Sequence, residues 1–196
     1  MRGKRMWHTL RLWTIRSSVK RAEYCAKHHI FRSIGKNCTL MDRKVPLYAE
    51  LISIGDNVRI ASDVAIMTHD ITHTMLNTYM SEQGSDVRFS EKVGCIEIGN
   101  NVFIGANSGI LGDVRIGNNV IIGAFSLVNK DIPDNSVAAG VPARVIGTFD
   151  DFVAKRLEET KYPDEMKPYR QEVSPELVEW CWAQHEQKRG KYGERE

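Results

Sequence analysis

Nowhere in the 196 residues does an apolar run approach the ~20 needed to cross a bilayer. The opening MRGKRMWHTLRLW carries charge but lacks the apolar stretch and small residues of a cleavable signal. The cysteines are few and scattered: Cys25, Cys38, Cys95 and Cys181 form no CxxC pair, which speaks against a disulfide framework or a cysteine metal site and makes the cytoplasm the expected compartment. Acid is almost missing at the start. Residues 1–36 hold ten Lys or Arg against the single Glu23, a balance of +9 inside a chain whose net charge is only +2. No nucleic-acid recognition motif accompanies that charge, so nucleic acid is not the expected partner. Leu12, Ile15, Val19, Ala22 and Ala26 recur at helical spacing and predict one helix over residues 10–30. Such a helix can cap the open end of a sheet, and with Trp7 and Trp13 beside its cations it can also lie on anionic lipid, at an inner membrane surface, or on an acidic polymer.

The middle of the chain lacks both common periods, the 3.6 of an amphipathic helix and the 2 of a single alternating strand. From Ile98 to Pro133 the period is six, with aliphatic residues at Ile98, Ile104, Ile110, Ile116, Ile122 and Val128. A parallel β-solenoid satisfies this, because a short strand and a tight bend fill six residues and return the next aliphatic side chain to the interior. Val102, Val114, Val120 and Ile132 complete the lining. Gly99, Gly105, Gly117 and Gly123 are read as corner residues whose torsions a side chain would oppose. Asn100, Asn101, Asp113, Asn118 and Asn119 suit the bends because they tolerate left-handed torsions and bond nearby backbone.

Earlier repeats begin at Ile34, Ile54, Ile60 and Ile66, and the period then fails between Thr68 and Cys95. Ile54 and Ile98 are separated by 44 residues, no multiple of six, so part of that interval must leave the coil as a loop, 70–95. Loops of this length in a compact domain commonly carry function. After Gly147 the pattern turns helical, in residues 149–160 and again in 174–196 with Ser174 as cap and Pro175 as first position. Val178, Cys181 and Trp182 are expected to pack, and the charged last residues to fray.

The run of sixes, with the continuation KDIPDNSVAAGVPARVIG from Lys130 to Gly147, resembles the hexapeptide-repeat acyltransferase superfamily, and its ending is similar to that of galactoside, maltose, nodulation-type and polysaccharide O-acetyltransferases. The resemblance implies an all-β solenoid core, a left-handed parallel β-helix over 34–147, with a basic N-terminal helical cap in 1–33 and a C-terminal helical extension in 148–196. It also implies a homotrimer with active sites between subunits, and acetyl-CoA as acyl donor. His69, just before the loop, matches the family's general base, and His73 is the fallback if the register is shifted. Asp70 is left out of the site because neighbouring side chains on a strand face opposite ways. Ala106 and Ala124 match small residues along which the pantetheine arm lies, and Lys130 and Arg144 match basic positions near the nucleotide end. Asn129 stands where relatives often have Thr, and Phe103 where several have Trp.

Transfer to a hydroxyl needs a base to remove its proton as the oxygen attacks the thioester, a task suited to imidazole. Neither a metal nor a covalent acyl-enzyme is required. The interval from Ile34 to Asp70 looks more like acetyltransferases of surface-polysaccharide and lipopolysaccharide biosynthesis, which makes a sugar or polysaccharide the expected acceptor. A small soluble acceptor such as a free sugar or antibiotic is the alternative, and a non-catalytic hexapeptide scaffold is another. A γ-type carbonic anhydrase would need three zinc-binding histidines, and residues 34–147 contain only His69 and His73.

Overall fold

The computed structural model describes residues 2–159, 161–169 and 172–193. Its contacts divide the chain into two units, Met1–Val153 and Ala154–Glu196. The first unit is a coil of short parallel strands on three faces. The first face is formed by β1 (Ser33–Ile34), β3 (Ile52–Ile54), β8 (Ile96–Ile98) and β11 (Val114–Ile116). The second stacks β2 (Thr39–Leu40), β4 (Arg59–Ile60), β9 (Val102–Ile104), β12 (Val120–Ile122), β14 (Ser136–Ala139) and, antiparallel at the edge, β15 (Arg144–Thr148). The third holds β5 (Ala65–Met67), β10 (Gly109–Leu111) and β13 (Leu127–Val128).

Register shows why six residues is the repeat. Ile98 pairs with Ile116, Ile104 with Ile122 and Ile110 with Val128, so one circuit of three faces takes 18 residues. Within a strand the alternation is strict: Ile96 and Ile98 are buried while Glu97 points out. Ile104, Ile110, Ile116, Ile122 and Val128 are fully buried, each stabilising by roughly 1.5–3 kcal/mol relative to exposure.

The corners work differently from the expectation for glycine. None of Gly99, Gly105, Gly117 and Gly123 has positive φ; the left-handed torsions fall on Asn57, Asn101 and Asn119 at one corner and Asp63, Asn107 and Phe125 at another. Glycine is required because the coils touch there. A Cβ on Gly99 would lie 2.6 Å from the Gly117 carbonyl oxygen of the next turn. The Asn and Asp side chains run up the same edge as two ladders. The backbone N–H groups of Asp56, Asn100 and Asn118 donate to Asn100, Asn118 and Asp134 Oδ1 at 2.7, 2.9 and 2.8 Å, while the amides of Asn57 and Asn101 donate to Asn101 and Asn119 Oδ1 at 2.9 Å each.

Instead of one amino-terminal helix there are two, α1 (Arg2–Thr14) and α2 (Ser18–Lys27), because Ser17 is extended and its hydroxyl accepts the Lys20 amide as an N-cap. Leu12, Ala22 and Cys25 join the core, whereas Val19 is exposed. Arg21 is 2% exposed. Its guanidinium donates to the carbonyls of Leu40 (2.8 Å), Met41 (3.0 Å), Ile15 (2.8 Å) and Arg16 (3.0 Å), which ties the edge strand β2 to the break between the helices.

The interval expected as a loop is partly ordered structure. It leaves the coil through β6 (His69–Asp70), runs through α3 (Thr72–Glu82) and returns on β7 (Lys92–Val93), antiparallel to β6. Ile54 still pairs directly with Ile98. The helix α3 buries none of its residues, so no apolar face marked it in the sequence. In the second unit, after α4 (Phe149–Glu158), which spans the division, α5 (Pro175–Gly193) starts as expected, with the Ser174 hydroxyl accepting the Leu177 amide at 3.2 Å. Leu177 is buried, and Val178, Cys181 and Trp182 are not buried in this chain. Residues 194–196, expected to fray, lie outside the described residues.

Candidate active site

Thr68 and His69 leave the third face just after Met67, which pairs with Leu111. Thr68 is fully buried, and its hydroxyl donates to the Leu47 carbonyl at 2.8 Å, anchoring the exit to the preceding turn. The return is anchored as tightly: the Gly94 amide donates to the Thr68 carbonyl at 2.7 Å, and a Cβ on Gly94 would lie 2.5 Å from Asp113 Oδ1. His69 therefore stands at the root of the excursion, on backbone held from both sides. Its imidazole meets the Tyr48 ring edge-on at 5.3 Å, and its buried Nδ1 has no hydrogen-bond partner among the described residues. Tyr48, held at φ 52, donates its hydroxyl to Glu91 Oε2 at 3.1 Å, and that bond raises its pKa.

Asp70 faces away from this arrangement. Its Oδ1 accepts the Thr72 hydroxyl at 2.6 Å and the Thr72 amide at 3.0 Å, starting α3. These bonds, helped by Lys92 and His73, lower its pKa. His73 lies in the first turn of α3, and its Nδ1 is likewise buried without a partner. Geometry alone thus leaves two candidate imidazoles, of which His69 is the one on the anchored coil.

The other predicted residues divide between the two edges of the third face. Asn129 and Lys130, both exposed, follow Val128 at the edge from which His69 leaves one turn below Leu111, and Lys130 has no ion-pair partner among the described residues. Ala106 and Ala124 stack at the opposite edge, where the Phe125 amide donates to the Ala106 carbonyl at 2.9 Å. Phe103 projects from the second face, 45% exposed between buried Val102 and Ile104. Arg144 opens β15 just after Ala143, whose amide donates to the Leu127 carbonyl at 2.8 Å over the top of the third face. One chain does not bring the two edges together. The side chains at Ala106 and Ala124 are small, and Lys130 and Arg144 are exposed cations of the kind that suits phosphate, but on one chain Lys130 and the two alanines lie at opposite edges.

Tyr48 beside the candidate base, Glu91 bonded to Tyr48, and the anchoring role of Thr68 were not foreseen. The signal for the first was present: Ile34 and Ile54 are 20 residues apart and pair directly, and a step only one residue longer carries Tyr48 to His69.

Residues 95–130 match the family described as bacterial transferase hexapeptide (six repeats). The chain is 44% identical over 112 residues to protein CapG of Staphylococcus aureus, covering 57% of this chain and 61% of the relative. It is 44% identical over 100 residues to the galactoside O-acetyltransferase of Escherichia coli (strain K12), covering 51% of this chain and 45% of that enzyme. The chain thus spans less than two thirds of these curated relatives. Among solved structures it resembles a hexapeptide-repeat acetyltransferase of Vibrio cholerae O1 biovar eltor, complexed with acetyl coenzyme A, with a TM-score of 0.58 at 21% identity over 76% of this chain and 86% of the other. At that identity the likeness concerns the fold.

Proposed function

We propose, from the premise that this chain is a hexapeptide-repeat protein, that it is an O-acetyltransferase moving an acetyl group from acetyl-CoA to a sugar hydroxyl in surface-polysaccharide or lipopolysaccharide biosynthesis. On this reading the coil is a left-handed β-helix over 34–147, with the excursion 70–95 beside the chemistry, residues 1–33 closing the first turn and 148–196 an extension. The observation that carries the proposal is His69: a half-buried imidazole with an unpartnered Nδ1, on backbone anchored by Thr68 and Gly94 and braced by Tyr48. His69 takes the proton of the acceptor hydroxyl, the oxygen so freed attacks the thioester carbon of the bound donor, and the carbon–sulfur bond breaks to release CoA as thiolate, which the proton held on the imidazole then neutralises. The division of the donor-binding set between two edges supports a homotrimer. Where copies pack side by side, Ala106, Ala124, Phe103 and Arg144 of one edge can face Asn129, Lys130 and His69 of another.

The test is thiol release from acetyl-CoA across a panel of sugars and sugar nucleotides, comparing wild type with His69→Ala and His73→Ala. Sugar-stimulated release that falls by 10²-fold or more in His69→Ala, with CoA binding intact, is expected. Full activity in His69→Ala moves the base to His73, and failure of the wild type to bind CoA overturns the acyltransferase reading. Stimulation by a small free sugar or antibiotic but by no sugar nucleotide or polymer replaces the proposed acceptor.

A further inference from the structure

Helix α1 has two faces that differ in what covers them. One faces the body: Leu12 is 3% exposed, the Thr9 hydroxyl accepts the Val45 amide at 3.2 Å, and His8 Nδ1 lies 2.9 Å from the Tyr24 hydroxyl. The other is bare. Met6, Trp7, Leu10 and Trp13 are 64, 57, 60 and 62% exposed. At 3.6 residues per turn, positions 6, 7, 10 and 13 fall within an arc of about 120°. Four large apolar side chains on one side of a single helix form a contiguous patch, unlike the isolated apolar residues normal on a surface.

Cations flank that patch on both sides. Lys4 and Arg11, both exposed, follow Trp7 around the helix, and the Arg43 guanidinium lies 5.5 Å from the Trp13 ring centroid on the other flank. Helix α1 contains no acid. A second copy seated on the same face would set like charges against each other across the contact, which disfavours self-association there. Two indole rings with a basic margin match the headgroup layer of a bilayer, where the rings sit between tails and water and the cations meet phosphate.

We propose that the α1 face of Met6, Trp7, Leu10 and Trp13 seats this protein on an anionic bilayer surface, with Lys4, Arg11 and Arg43 against the lipid phosphates. The contact is peripheral, since no helix among the described residues is long and apolar enough to cross a membrane. The seating is independent of the acetyl-transfer reading and places the coil within reach of an acceptor held at that surface.

The experiment is co-sedimentation of the full chain with sucrose-loaded vesicles, either phosphatidylcholine alone or phosphatidylcholine containing about one third phosphatidylglycerol, at low and physiological salt. Expected is binding to the anionic vesicles that weakens with salt, and little binding to the neutral ones. Trp7→Gln with Leu10→Gln should weaken it by about tenfold or more, and Lys4→Gln with Arg11→Gln by a similar factor. Unchanged melting temperature shows that both variants are folded. The proposal is overturned if the wild type ignores anionic vesicles, or if either double variant binds as the wild type does. It is equally overturned if the Trp7→Gln, Leu10→Gln variant changes oligomeric state without vesicles, which would assign the face to a second copy. Binding to heparin that is as tight as to vesicles and indifferent to Trp7 and Leu10 would replace the bilayer by an acidic polymer.

Discussion

Phe125 occupies a corner where the turns below place Asp63 and Asn107, and all three share φ near +58 (59, 58 and 58). For a residue with a bulky Cβ substituent the left-handed region costs roughly 1–2 kcal/mol, and Asn adopts it with much less penalty. Within its own chain the ring returns little for that strain, being 69% exposed. The bond that matters at the corner, from the Phe125 amide to the Ala106 carbonyl at 2.9 Å, is main-chain and survives substitution. Phe125→Asn should therefore stabilise the protein by about 0.5–1.5 kcal/mol, against the usual direction of point substitutions. At this chain length that is a rise in melting temperature of roughly 2–5 °C. Phe125→Ala, which keeps the torsional cost and loses the ring, should leave stability unchanged or slightly lower. Calorimetry at several protein concentrations reads both variants. If both are destabilised by more than about 1 kcal/mol, the ring is buried against something outside its own chain and the strain argument fails.

Gly99→Ala should destabilise by about 2 kcal/mol or more, because the new Cβ meets the Gly117 carbonyl oxygen at 2.6 Å and backbone must move; a denaturant midpoint equal to wild type would refute the close-approach reading. Arg21→Met should cost roughly 3 kcal/mol or more in chemical denaturation, since four carbonyls lose their charged donor at a buried site. Asp70 links the start of α3 to pH. Its carboxyl titrates lower when folded than unfolded, so its contribution is present above the ordinary carboxylate range and disappears as pH falls through the lowered value. Hydrogen exchange at the Thr72 amide should accelerate relative to the coil amides as pH drops below about 4, and Asp70→Asn should remove that pH dependence.

The coil was legible because its cause is local. An 18-residue circuit over three faces leaves a period of six in any sequence that keeps an aliphatic core, and Ile98 to Val128 keep it without a gap. The glycines were legible as positions but not in their reason, because what excludes a side chain at Gly99 is Gly117, a turn away along the chain. Helix α3 was hidden for the opposite cause: it packs no apolar stripe inward, and it is held by the bonds of Asp70 to Thr72 at its start and by Asn77, which exchanges two hydrogen bonds with the Phe89 backbone at 2.7 and 3.0 Å. At the candidate site His69 was named through resemblance to a family, and its own neighbourhood says little in one dimension. Tyr48 reaches it from the turn before and is bonded in turn to Glu91 of the excursion, across separations that no residue pattern announces.

The direct pairing of Ile54 with Ile98 also sets how much chain must be gathered to complete the coil. Closing one turn in the later coils spans 18 residues, whereas stacking β3 on β8 must gather 44. Loop-closure entropy makes the longer closure costlier by about 0.8 kcal/mol, a penalty met before its contacts form. The turns on either side of the excursion, closing over 20 and 18 residues, are both local, and joining them is the one long closure of the coil. The root of the candidate site, between β6 and β7, lies at that join, where the two halves of the coil meet.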